Sequence, residues 1–415
     1  MSISTLIGYL VGRRRAILAV ATTRSAVWLG LVFVISAGFA REYDGEDLLH
    51  APWHLVLPLG ASLTTSFLLF CLVRMASRNE RHHAVTWFQS YRSFLGLYWM
   101  TAPLAWLYAV PVERFLFAAE STEANLWLLA IVSVWRVVLM TRVIAVVYVA
   151  KTWQAFFIVM LFADTVALSL IVLTPIPILQ LMGGIRLTES ESLIQSTAFL
   201  IGIAGVVSWL VWFVGTVFAA TRKHAVSRLA DWSHESRVSR SAWALAVVSL
   251  LVWIPILPIT QPEQQLRHAV ERDLRNGRIE TALRTMSMWK PENFPPHWDP
   301  PPRIGYGEQN PPILKVAETV QTTETTPWVA EIFLLKLQHS IAQPWAHPLW
   351  DQMDNELFDR YLNVLEQLPA DSFLIKEIAD NDALKTQLDE NSKRTPEQQA
   401  RLRVLLEEKE LVDDD

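Results

Sequence analysis

The sequence predicts an all-α chain: a polytopic helical membrane protein with about seven transmembrane helices, followed by an all-helical extramembrane domain. Three observations predict it. First, 52% of the 415 residues are hydrophobic and only 19% are charged, more apolar than a soluble domain. Second, apolar stretches recur at 26–40, 53–73, 94–112, 125–150, 153–173, 198–220 and 242–259. Third, the charge is partitioned. Residues 1–261 carry 19 Lys and Arg against 13 Asp and Glu, a net +6. Residues 262–415 carry 17 against 28, a net −11. The expected division is a transmembrane domain over 1–261 and an acidic helical extracytoplasmic domain over 262–415.

Most of the seven stretches approach the ~20 residues that cover a hydrocarbon core of about 30 Å. Backbone groups in lipid must be bonded within their own segment, so helices are expected. The first stretch is the shortest, and only Arg24 interrupts its extension back toward Ile17. Two readings fit it: an uncleaved anchor, or a signal peptide with Gly38-Phe39-Ala40 as the small-residue cleavage site. Basic residues gather in alternate loops, 14 against 3. The rich set holds Arg13–Arg15 and Arg24, Arg74–Arg92, Lys151 and Arg222–Arg240; the poor set holds Arg41, Arg114 and Arg186. The positive-inside rule then places the N-terminus in the cytoplasm and residues 262–415 outside. Trp53, Trp127, Trp153 and Trp243 stand at the expected span ends, where an indole prefers the headgroup layer.

Beyond the last span, Thr260-Gln261-Pro262-Glu263 reads as a capping box opening a new helix. Asn276-Gly277 offers it a left-handed stop, and Ile279, Leu283 and Met286 start a second helix. Residues 291–312 hold eight prolines in 22 positions, a connector that forms neither helix nor sheet, with Trp298 and Tyr306 packing it down. Helices resume at Thr326-Pro327, with Ile332, Leu335 and Leu337 apolar, and over 351–368 and 372–388. A capping box at Thr395-Pro396-Glu397-Gln398 opens the last helix.

Candidate chemistry is sparse. Arg136 and Arg142 lie inside an otherwise apolar helix, where charges are costly and tend to face the bundle interior in pairs. Six residues turn them about 120° apart, so one group cannot serve both. If the fourth and fifth stretches form a hairpin, Arg142 lies level with Asp164, and the three residues make an intramembrane charge cluster. Its functional reading is an anion or proton path, or a gate. The other reading is a structural pair, with Arg142 snorkelling to the surface. His50 and His54, with Asp47 near, have the i, i+4 spacing of half a zinc site, but Pro52 falls between them and a third ligand is missing. Pro175, Pro177 and Gly183-Gly184 read as a broken helix or a plain loop. The single Cys71 excludes an internal disulfide and any multi-cysteine metal site.

Phosphate-binding glycine loops, the serine-hydrolase elbow and HExxH are all absent, and no basic stripe suggests nucleic acid. No cofactor is expected. The partners expected are the lipid bilayer and an envelope protein engaged through 262–415. The function expected is a non-enzymatic membrane scaffold at the cell envelope; the alternative is a transporter or channel built on Arg136, Arg142 and Asp164.

Overall fold

The computed structural model describes residues 1–76, 86–173, 189–221, 229, 237–302, 311–342, 353–367, 382–388 and 392–410. Among them the regular structure is helical throughout, with no strand. They divide into two compact units, one of the residues up to Gln264 and one from Gln265 onward. Expectations that fell on Arg78, Arg81, Pro175, Pro177, Gly183, Gly184, Arg186, Arg222, Lys223, Arg228 and Tyr306 lie outside the described residues.

The first unit contains α1 (Ile3–Leu10), α2 (Arg14–Ala21), α3 (Ala26–Glu42), α4 (Val56–Ala76), α5 (Trp87–Trp99), α6 (Ala118–Val147), α7 (Thr152–Leu173), α8 (Glu189–Ala220), α9 (Arg240–Leu251) and the start of α10 (Trp253–Arg275). Among the described residues six segments are long and apolar enough to cross a membrane: Pro52–Ala76, Trp87–Arg114, Ala118–Val147, Thr152–Leu173, Glu189–Ala220 and Arg240–Arg275. Taken together, α2 and α3 are a candidate seventh; they meet at a 104° bend, and α3 alone is 17 residues long. The first apolar stretch therefore does not run straight back to Ile17. Thr22 and Thr23 turn their hydroxyls onto the carbonyls of Leu18 and Ala19, which ends α2 before α3 begins.

Two further differences come from proline and threonine. The stretch at 94–112 is not one α-helix: α5 stops at Trp99, and a 3-10 helix follows at Ala102–Ala109. Pro103 lacks the amide a continued α-helix needs. At the other end, α10 runs through Thr260 without interruption, with Pro258 and Pro262 inside it, so the expected capping box does not form. The Thr260 hydroxyl instead donates to the Tyr43 carbonyl at 3.0 Å.

The core of this unit gathers Tyr9, Ile17, Leu29, Phe33, Leu69, Phe70, Phe94, Leu97 and Ile144. Helices approach closely where a side chain is missing. A Cβ on Gly30 of α3 would sit 2.7 Å from the Trp99 Cβ, and one on Gly215 of α8 would strike the Phe157 ring. By contrast, α8 turns Leu200, Val207, Leu210 and Val211 outward. An apolar face of that extent is unusual on a water-soluble surface and suits lipid.

The second unit continues from α10 through α11 (Ile279–Ser287), α12 (Ile313–Thr322), α13 (Pro327–Ala342), α14 (Asn355–Leu365), α15 (Asp382–Lys385) and α16 (Pro396–Glu410). Gly277 ends α10 at φ +74°, with its amide on Leu274 and the Arg278 amide on Asp273, the left-handed stop expected. Ile279, Leu283 and Met286 join a core with Ile313, Phe333, Phe358, Tyr361 and Leu402. In α13 the buried stripe is Val329, Phe333 and Leu337, while Leu335 points outward. The described start of the proline-rich segment, up to Pro302, is pinned. Trp298 stacks on Phe294 at 4.7 Å and donates to Glu271, and Lys336 donates to the carbonyls of Pro300 and Pro302. At Thr395 the capping box is formed with Gln398, at 3.2 and 3.1 Å. Of the helix expected over 372–388, only the part from Asp382 is described, and Leu384 there is buried.

Candidate functional site: polar groups among the apolar helices

Arg136 is half-buried on α6, and its guanidinium carbon lies 5.3 Å from the centre of the Tyr98 ring. Aromatic side chains of α1 and α5 are fixed by hydrogen bonds. Tyr9 donates to the Leu97 carbonyl at 2.5 Å, Tyr98 donates to Thr65 at 3.0 Å, and the Trp99 indole donates to Ser62 at 3.1 Å. Beside Arg136, the Trp135 indole donates to the Leu10 carbonyl at 3.0 Å. The stretch that carries the arginine thus also clamps the N-terminal helices. A cation over an aromatic face gains about 0.5–2 kcal/mol, which offsets only part of its desolvation.

Arg142 is exposed, and its aliphatic stem lies against the turn at Gly12, whose φ is +75°. Asp164 accepts a 2.8 Å hydrogen bond from the Ser208 hydroxyl on α8. Gly205 makes room for it, since a Cβ there would come within 2.8 Å of Asp164 Oδ1. Among the described residues Arg136, Arg142 and Asp164 form no ion pair with one another. The structure does not bring the three together.

The histidines separate as well. His50 Nδ1 lies 2.9 Å from Asp47 Oδ2, while His54 Nε2 lies 3.7 Å from Glu46 Oε2. Pro52 opens a 3-10 turn at Pro52–Leu55, so the two imidazoles do not share a helical face. Among the described residues no three His, Cys, Asp or Glu side chains converge as metal ligands.

A denser polar group escaped the sequence reading. Arg114 reaches Glu263 with both terminal nitrogens, at 3.2 and 2.8 Å, and Asp44 at 3.0 Å. Below it, Gln261 and Gln264 are fully buried. Gln261 donates to the carbonyls of Tyr43 and Glu46 and accepts from the Leu49 amide; Gln264 donates to the Asp44 carbonyl at 2.7 Å. Tyr43 donates to Ala109, and Glu113 accepts from Asn125. Burial, with Asp44 and then Glu113 nearby, pushes the Tyr43 phenol up to about 12, against the opposing pull of Arg114. These groups satisfy one another, so the arrangement is a seam that holds the segment after α3 onto α10. Its signal was present: Thr260, Gln261 and Gln264 repeat at helical spacing, and Arg114 is one of few cations in its loops.

No protein family matches the chain, and neither a curated protein nor a solved structure is similar to it.

Proposed function

We propose that this chain is a non-enzymatic multi-pass membrane protein that presents its second helical unit, on the extracytoplasmic side, as a binding or scaffolding surface for an envelope protein. One observation carries the reading. At the end of α11, Met288 and Trp289 stand side by side with 78% and 50% of their surfaces exposed. Adjacent exposed Met and Trp are residue types that anchor protein interfaces. They directly precede the start of the proline-rich segment, where Phe294 and Trp298 pack on the core of the unit. The experiment is photo-crosslinking in intact cells from probes at Met288 and Trp289 of the full chain. A discrete protein adduct, lost on Trp289→Asp with the chain still folded, supports the proposal. No adduct from either site, with Trp289→Asp functionally silent, overturns it.

A transport or channel reading keeps one supporting observation, the half-buried Arg136 with an aromatic partner and no ion pair among the described residues. It loses the three-residue cluster it was first built on. Its test is Arg136→Gln: a lost phenotype with normal folding supports it, and an intact phenotype removes it.

A further inference from the structure

The first 21 residues combine an outward apolar stripe with a run of three arginines. α1 is apolar on two faces. Leu6 and Tyr9 are buried, while Ile3, Ile7 and Val11, spaced four residues apart, form an outward stripe in which Ile7 is 60% and Val11 65% exposed. The turn at Gly12 follows, and then three consecutive exposed arginines, Arg13, Arg14 and Arg15. Arg142 arrives at the same turn from α6, its stem against Gly12. None of these four guanidinium groups has an ion pair among the described residues, and the first acidic residue of the chain is Glu42. The 104° bend between α2 and α3 supplies the geometry. If α3 crosses the bilayer, α2 runs nearly along its surface.

We infer that α1 and α2 form an interfacial hairpin that docks on anionic phospholipid headgroups. Ile3, Ile7 and Val11 enter the acyl boundary, and Arg13, Arg14, Arg15 and Arg142 engage the phosphates. An apolar stripe beside arginines is the pattern of a helix lying in the headgroup layer. The charge is complementary to an anionic leaflet and to little inside this unit, and guanidinium forks match phosphate oxygens well. This also gives Arg142 a task distinct from that of Arg136. The inference rests on the membrane assignment and is independent of any partner of the second unit.

The experiment uses the full chain reconstituted in mixed phosphatidylcholine and phosphatidylglycerol bilayers, with spin-labelled versions of each lipid. The expected result is preferential immobilisation of phosphatidylglycerol. The preference falls roughly fivefold for each arginine removed, as the usual worth of one basic residue near an anionic leaflet implies. Arg13→Gln with Arg14→Gln and Arg15→Gln, and separately Arg142→Gln, reduce it; Lys315→Gln, which removes an exposed charge of the second unit, does not. These arginines are exposed, so folding is expected to survive, and a label at Ile7→Cys in a Cys71→Ser chain gives a second readout. That label should be accessible to oxygen and shielded from a water-soluble relaxant. A preference unchanged by all four arginine substitutions, equal loss with Lys315→Gln, displacement by inorganic phosphate, or a water-exposed label would each overturn the inference.

Discussion

Arg114 holds Glu263 through two hydrogen bonds, Nη1 to Oε1 at 3.2 Å and Nη2 to Oε2 at 2.8 Å, and the same Nη2 lies 3.0 Å from Asp44. The three side chains are largely shielded, so each carboxylate depends on the cation. Arg114→Gln should destabilise the first unit by about 1–3 kcal/mol, because two shielded carboxylates lose their partner. Arg114→Lys should recover little of this, since an ammonium cannot make the paired contact. A double-mutant cycle with Glu263→Gln, read by thermal unfolding in detergent, checks it. Strictly additive losses would mean the two residues do not act together.

Helix separation in the first unit is set by glycine. A Cβ at Gly30 meets the Trp99 Cβ at 2.7 Å, close to the backbone of α5, so the helices must part. Gly30→Ala should cost about 1–3 kcal/mol by overpacking. A Cβ at Gly60 would meet nothing within 4 Å, so Gly60→Ala should be neutral or stabilise by about 0.5–1 kcal/mol through helix propensity. Equal melting shifts for the two variants would contradict the packing assigned to α3 and α5.

What the sequence made legible follows from what each signal measures. Long apolar runs report burial in lipid or core, so the helices of the first unit could be placed. Bends could not, because Thr22 and Thr23 end α2 through local hydroxyl bonds that leave hydropathy unchanged. The same blindness affected Thr260. Its spacing to Glu263 is that of a capping box, yet a helix already running through it left its hydroxyl free for Tyr43. Spacing alone also suggested Arg142 with Asp164. Depth along two helices says nothing of the angle around them, and Asp164 faces Ser208 instead. Local caps were the readable part of the second unit: Gly277 and Thr395 act as their sequences imply.

Tyr361 gives the second unit a pH signature. Burial holds its phenol well above the ordinary 10.0, with Arg360 pulling the other way and Glu318 adding to the rise. Below pH 10 the phenol is protonated in both folded and unfolded chains, and its contribution is fully present. Above pH 10 the unfolded chain loses the proton first, so stability falls as pH climbs toward the folded value. Denaturant midpoints between pH 8 and 11 should decline less steeply in Tyr361→Phe than in the wild type. Parallel slopes would contradict the burial of this ring.

Two substitutions at adjacent residues should differ in size. The buried Arg394 guanidinium donates to Gln387 and to the Met353 carbonyl and lies 4.1 Å from the Phe358 ring centre. Arg394→Ala should cost about 2–3 kcal/mol, since it strands buried acceptors. Thr395→Ala removes only the cap of α16 and should cost about 1 kcal/mol. Chemical denaturation of the full chain, followed by helical signal, ranks them; a larger loss at Thr395 would contradict the arrangement.

On the proposed topology the basic N-terminal hairpin and the acidic second unit lie on opposite sides of a membrane. The chain has one cysteine, so Cys71→Ser gives a clean background. The decisive measurement is labelling of Arg14→Cys and Glu280→Cys in intact cells with a membrane-impermeant maleimide. Labelling at position 280 alone is predicted, with position 14 reacting only after the membrane is opened. Labelling at position 14 in sealed cells, or protection of position 280 until lysis, would contradict that topology.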